Sequence, residues 1–254
     1  MQPASKKTEN AWAMYDWANS AYNLVITTTI FPAYYVGVTS SKIKGEPSYV
    51  DFFGYKIINT VLQDYTLAVV FLIVAISSPI LSSIADYKKN KKVYLRWFSL
   101  LGAASCSALF FFTPEKIEYG MIFFGLAALG YWSSLVFYNS YLPDIVPIED
   151  RDRVSAKGFA FGYTGSVLLQ IICFIVILFP GKFGLDASDG TIGARISFLL
   201  VGIWWFGFAQ ITLRAMPLES RQARRERKNV LTNGFKELKI VFNLVRKAPV
   251  LNRF

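Results

Sequence analysis

The chain has 254 residues, of which 54% are hydrophobic, 17% aromatic and only 17% charged, with a formal charge of +10; a soluble domain carries about a quarter charged residues. It has no histidine and two cysteines, Cys106 and Cys173, each inside an apolar run. This excludes Ser-His-Asp and Cys-His catalysis, histidine-built zinc sites and histidine proton relays, and leaves no disulfide framework, metal cluster or phosphate-binding glycine loop. No enzyme chemistry and no cofactor are expected.

Several apolar runs reach about 20 residues, the length that crosses roughly 30 Å of hydrocarbon. Segments exposed to lipid must satisfy their own backbone hydrogen bonds, so these runs are predicted to be helices. The fold class is therefore all-α: a polytopic membrane protein with six transmembrane helices over residues 17–213, preceded by a short N-terminal segment, 1–16.

The first span covers residues 17–38. Asp16, Asn19, Ser20, Asn23 and Thr27 recur at i, i+3, i+4, i+7 and i+11, one face of a helix. Polar groups are costly in hydrocarbon, so this stripe faces a cavity or neighbouring helices. Asn19 and Asn23 are candidate solute contacts, the alternative being interhelical glue. Asp16 stands at the entry, where an acid also serves as a helix cap. The external loop that follows, 38–65, holds Gly45, Pro47 and Gly54 and reads as irregular, with room for one short surface helix.

The second span, 66–85, ends in a short turn in which Asp86 precedes Lys88, Lys89, Lys91 and Lys92. The third span, 93–112, looks more uniformly apolar or small than the others, with Arg96 counted among the basic residues of the turn before it. The fourth, 119–141, places Tyr131, Ser134, Tyr138 and Tyr141 on one face, and its loop carries Asp144, Arg151 and Arg153. The fifth, 159–180, sets Tyr163, Ser166 and Gln170 on one face and begins among Gly158, Gly162 and Gly165, which let a neighbouring backbone approach closely. The sixth, 194–213, carries Phe198, Trp204, Trp205, Phe206 and Phe208, which suit a helix facing lipid. Residues 214–254 form a basic tail whose Phe235, Leu238, Phe242 and Val245 recur at helical spacing, as in an amphipathic helix lying on an anionic leaflet, or in a solvated linker.

The 27 Lys and Arg residues divide 21 to 6 between the two sides of this arrangement. That bias predicts a multi-pass protein with both termini cytoplasmic, in the cell (inner) membrane if bacterial. The same placement, short loops between apolar runs, argues against nucleic acid as a partner.

The turn from Ser82 through Asp86 to Lys91 and Lys92 resembles the loop signature of the major facilitator superfamily, with Ser82 and Asn90 where glycines are usual. Two longer stretches, Trp12 to Tyr22 and Tyr138 to Asp144 with its continuation through Asp150-Arg151-Asp152-Arg153 to Gly158, Gly162 and Gly165, are similar to the vacuolar-effluxer-like family of that superfamily. That family includes the autophagy-related vacuolar amino-acid effluxers and bacterial relatives. The resemblance implies an amino-terminal six-helix half, with a second six-helix half expected to follow. It further implies a secondary transporter of a small polar solute, amino acids being the family-level substrate. Asn19, Asn23, Tyr138, Gln170 and Asp16 would line its substrate pathway. Asp86, Lys91, Lys92, Asp144, Arg151 and Arg153 would form a cytoplasmic gate, because the two inner loops adjoin in such a fold. The competing reading is a six-span scaffold or assembly protein, which would not need polar stripes on three spans together.

Overall fold

The structure, a computed structural model, describes residues 6–41, 46–88, 90–186 and 188–216, with the backbone alone for 83, 84 and 86–88. Six long helical rods form the bundle. Five of them, 59–82, 91–111, 117–145, 148–178 and 192–215, are each long and apolar enough to cross a membrane.

The first rod is built in three pieces: α1 (Lys6–Ala21), a π-helical stretch (Tyr22–Thr29) and α2 (Ile30–Thr39). It starts well before residue 17, because Trp12 and Tyr15 anchor its polar beginning in the bundle. Both are buried. The Ile30 N–H bonds to Val25 O, an i→i−5 link, and this wider winding frees carbonyls that side chains then use. Thr28 Oγ1 donates to Asn23 O at 2.7 Å, and Thr29 Oγ1 lies 2.6 Å from Leu24 O.

The segment between the first two spans, expected to be irregular with room for one short surface helix, forms a β-hairpin. Strands β1 (Tyr49–Phe52) and β2 (Tyr55–Ile58) pair antiparallel with Tyr49 opposite Ile58. Phe53 and Gly54 make the two-residue turn, both at positive φ (49° and 82°), as a turn matched to strand twist requires. Glu118 accepts the Phe53 N–H at 3.3 Å and so holds the hairpin to the bundle.

The hairpin runs directly into α3 (Asn59–Lys88), followed by α4 (Lys91–Ala108), α5 (Ile117–Ser140), the one-turn α6 (Leu142–Ile145), α7 (Arg151–Leu178) and α8 (Ile192–Ala215). In the bundle α3 packs on α5, α5 on α4, α4 on α8, α8 on α1, and α1 on α7. Small residues set the closest approaches. A Cβ at Gly130 of α5 would collide with the backbone of Gly102 in α4. The ring of Trp205 covers Gly102.

The sixth span is not simply a lipid-facing helix. Phe198 and Trp205 are fully buried, and only Phe206 of its named aromatics is exposed. Phe198 packs with Phe31 and Tyr34 of α2, whereas Trp205 lies against Tyr22 and Tyr131. Composition could not separate these faces, since aromatics suit lipid and a helix interface equally well.

Candidate functional site

One end of the bundle gathers the start of α1, the α3–α4 turn, the α5–α7 connection and the end of α8. Two charge contacts tie it together. Lys91 Nζ lies 3.0 Å from Asp144 Oδ2, joining the two loops whose charges the sequence had set against each other. Arg153 reaches Glu9 of α1 at 3.3 Å and Asp150 at 3.1 Å. Glu9 is a buried acid on a part of the chain read as a short cytoplasmic segment, and it was missed for that reason. Lys92 donates to Met216 O at 2.9 Å, at the end of α8. Arg151 Nε makes only a long contact of 3.5 Å with its local Val146 O. The side chain of Asp86 and the whole basic tail beyond residue 216 lie outside the described residues.

Just inside this end, Asp16 is buried, 8% exposed, between α1, α5 and α7. Tyr138 donates its hydroxyl to Asp16 Oδ2 at 2.9 Å. Among the described residues Asp16 has no ion-pair partner. Trp12 fixes Tyr138 by stacking on its ring (centroids 4.3 Å apart, 14° between planes) and by donating Nε1–H to Tyr138 O at 3.2 Å. A second tyrosine joins from α1: Ser99 Oγ donates to Leu95 O, so the Tyr15 hydroxyl, 2.6 Å from Ser99 Oγ, is the donor of that pair.

The three glycines of α7 receive α1 in register. A Cβ at Gly158 would stand 2.6 Å from Asp16 Oδ2, one at Gly162 2.6 Å from Ser20 Oγ, and one at Gly165 2.8 Å from the Trp17 carbonyl oxygen. The expected packing glycines are thus the bed on which the polar side of α1 lies.

Asn19 is completely buried, and neither end of its amide has a partner among the described residues. An unsatisfied buried amide costs about 1–3 kcal/mol per group, which makes Asn19 the least satisfied polar side chain of α1. Asn23 diverges from it and is exposed. Of the five stripe residues Asp16 and Asn19 are buried, Ser20 and Thr27 half-buried and Asn23 exposed, and the π-helical winding begins at Tyr22, between them. Gln170 meets α1 further along, 2.9 Å from Thr29 Oγ1. A threonine hydroxyl has one hydrogen. With that hydrogen on Leu24 O, Thr29 is satisfied when Gln170 presents its otherwise unpartnered Nε2. The structure therefore joins Asp16 to Tyr138 and Gln170 to Thr29, and leaves Asn19 between them.

Apolar helices on the outside and a buried polar strip within define a multi-pass integral membrane protein. Its sequence agrees with the family model described as vacuole effluxer Atg22 like over residues 4–254, and the chain belongs to that family. It is 31% identical to an uncharacterized MFS-type transporter, YxiO, of Bacillus subtilis, over 98% of this chain and 55% of that protein. It is 26% identical to Autophagy-related protein 22-1 of Aspergillus clavatus, over 65% of this chain and 37% of that protein. It is 28% identical to Autophagy-related protein 22-2 of Aspergillus oryzae, over 60% of this chain and 35% of that protein. The chain thus spans about half, or less, of the curated relatives it matches. No solved structure matches it.

Proposed function

We propose that this chain forms one six-helix half of a secondary transporter that moves a small polar or zwitterionic solute, amino acids being the favoured class, by alternating access. The observation that carries the reading is Asn19, a buried amide with both ends unpartnered, set between the Tyr138–Asp16 and Gln170–Thr29 contacts. An amide donates and accepts, so it can hold a zwitterion without a fixed charge. The substrate pathway runs along the first rod past Asp16, Asn19 and Asn23, with Tyr138 and Gln170 facing it. Lys91 and Asp144 close the cytoplasmic gate, and Asp86, Lys92, Arg151 and Arg153 belong to the same end. A second half of similar size completes the site.

Both ends of the chain lie on the cytoplasmic side, as the 21-to-6 division of basic residues favours. Labelling of Lys228→Cys by an impermeant thiol reagent in intact cells would reverse this orientation.

The test of the solute reading uses the complete protein, purified, with ligand-induced thermal shifts over an amino-acid panel. The cognate amino acid should raise the melting temperature of the wild type. Asn19→Ala should weaken its binding by about 1–3 kcal/mol. Unaltered affinity in Asn19→Ala, with lowered thermal stability, would make Asn19 helix glue and remove it from the site.

A further inference from the structure

A groove of about 110 Å3 opens between α4 and α8 on the outer surface of the bundle, lined by Arg96, Leu100, Phe206, Gln210 and Leu213 among others. Its position is unusual for its chemistry. Arg96 is exposed on a stretch of α4 whose other outward residues, Val93, Trp97 and Leu100, are apolar. A cation on a hydrocarbon-facing surface is costly unless something neutralises it.

Among the described residues the ion-paired acids of this end of the bundle are engaged elsewhere. Asp144 is held by Lys91, and Glu9 and Asp150 by Arg153. Among the described residues Arg96 has no ion-pair partner. Further positive charge surrounds it. Lys92 stands four residues earlier on α4, on the same face, and is fixed over the end of α8 by its bond to Met216 O. On α8, Phe206, Gln210 and Arg214 follow at i, i+4 and i+8, so the exposed Arg214 lies one turn beyond the groove toward the basic end. Gln210 uses one amide hydrogen on Phe206 O at 3.1 Å and keeps its other hydrogen and its oxygen. The groove therefore has a cationic mouth at the membrane surface and apolar walls running toward the membrane interior.

We propose that this groove binds an anionic phospholipid, its phosphate held by Arg96 with Lys92 and Arg214 at the mouth, and an acyl chain lying against Leu100, Phe206 and Leu213. The volume suits a headgroup phosphate, and the open side faces the bilayer that would supply the rest of the lipid. Charge complementarity selects an anionic lipid over a zwitterionic one, since no acid of the described residues faces the groove. Arginine, with a planar fork of donors, is the cation best matched to phosphate oxygens.

The test is native mass spectrometry of the complete protein, released from mixed phosphatidylglycerol and phosphatidylcholine micelles, with thermal unfolding in each lipid. The wild type should retain phosphatidylglycerol over phosphatidylcholine. Arg96→Gln should cut that preference about fivefold to tenfold, the worth of one cation at an anionic surface. Leu100→Trp, which fills the groove and keeps the charge, should cut it as well. Lys56→Gln, on the distant hairpin, should leave it intact. Equal retention of the two lipids by the wild type, or an Arg96→Gln variant with unchanged preference, would overturn the site. Stabilisation by inorganic phosphate as large as that by phosphatidylglycerol would overturn the lipid as its ligand. A preference that appears only when residues 217–254 are removed would assign the groove to the chain's own tail.

Discussion

The helices α1 and α3 are opposites. The outer face of α3 is apolar along most of its length, with Tyr65, Val69, Phe71, Leu72, Ile73 and Ile76 all exposed, and it meets the bundle chiefly through α5. In α1 the buried residues include Glu9, Asp16 and Asn19, and the helix is enclosed by α7 and α8. In water the apolar helix would be the buried one. In a bilayer lipid solvates apolar side chains as well as protein does, so α3 gains little by burial. Polar groups must leave the lipid, and α1 gathers them in the middle of the bundle.

This contrast is broken most severely at the glycines. Gly165→Ala and Gly130→Ala each force a Cβ into a neighbouring helix backbone, and each should cost about 1–3 kcal/mol of stability by overpacking. Gly207→Ala in α8, with open space around it, should be neutral or stabilise by up to about 1 kcal/mol. Leu72→Ala on α3 should stay within about 0.5 kcal/mol. Thermal unfolding of the complete protein in detergent checks all four. A Leu72→Ala loss as large as that of Gly165→Ala would dissolve the contrast between the two helices.

A more local effect of similar size is expected at the buried acid. Tyr138→Phe removes the one hydroxyl that the structure places on Asp16 and should cost about 1–3 kcal/mol. In an Asp16→Asn background the same change should cost less, because the charge that needed the donor is gone. A double-mutant cycle measures the difference. Strict additivity of the two changes would mean that the 2.9 Å contact carries no coupling.

The smallest effect on stability belongs to the partly exposed Lys91–Asp144 pair, worth about 0.2–1 kcal/mol. Its consequence for transport should be larger. On the gate reading proposed above, the contact is made in one state and broken in the other and should bias that equilibrium by about 1–3 kcal/mol. Asp144→Asn should therefore alter transport rate in reconstituted vesicles while leaving expression intact. Lys91→Asp combined with Asp144→Lys should recover part of the rate. Wild-type kinetics in Asp144→Asn would remove the pair from the gate.

From the sequence alone came the helical membrane class, the apolar runs that become the long helices, the opposite charges of the two loops that Lys91 and Asp144 join, and the small residues of α7 against which α1 packs. These depend on local quantities: the length of apolar runs, the placement of charges, and the small size of one side chain. Tertiary structure decided what depends on winding and on partners far along the chain. The π-helical stretch at Tyr22–Thr29 is a change of winding that no 3.6-residue periodicity reveals. The burial of Trp205 follows from Gly102, about a hundred residues away, which leaves room for its ring. Glu9 is an ordinary first-turn acid until Arg153 is folded against it. Asp16 gains a partner only because Trp12 and Tyr138 stack, bringing together residues 126 apart in sequence. Composition reports what a helix can bury; which face it buries, and against what, is settled only when the other helices are in place.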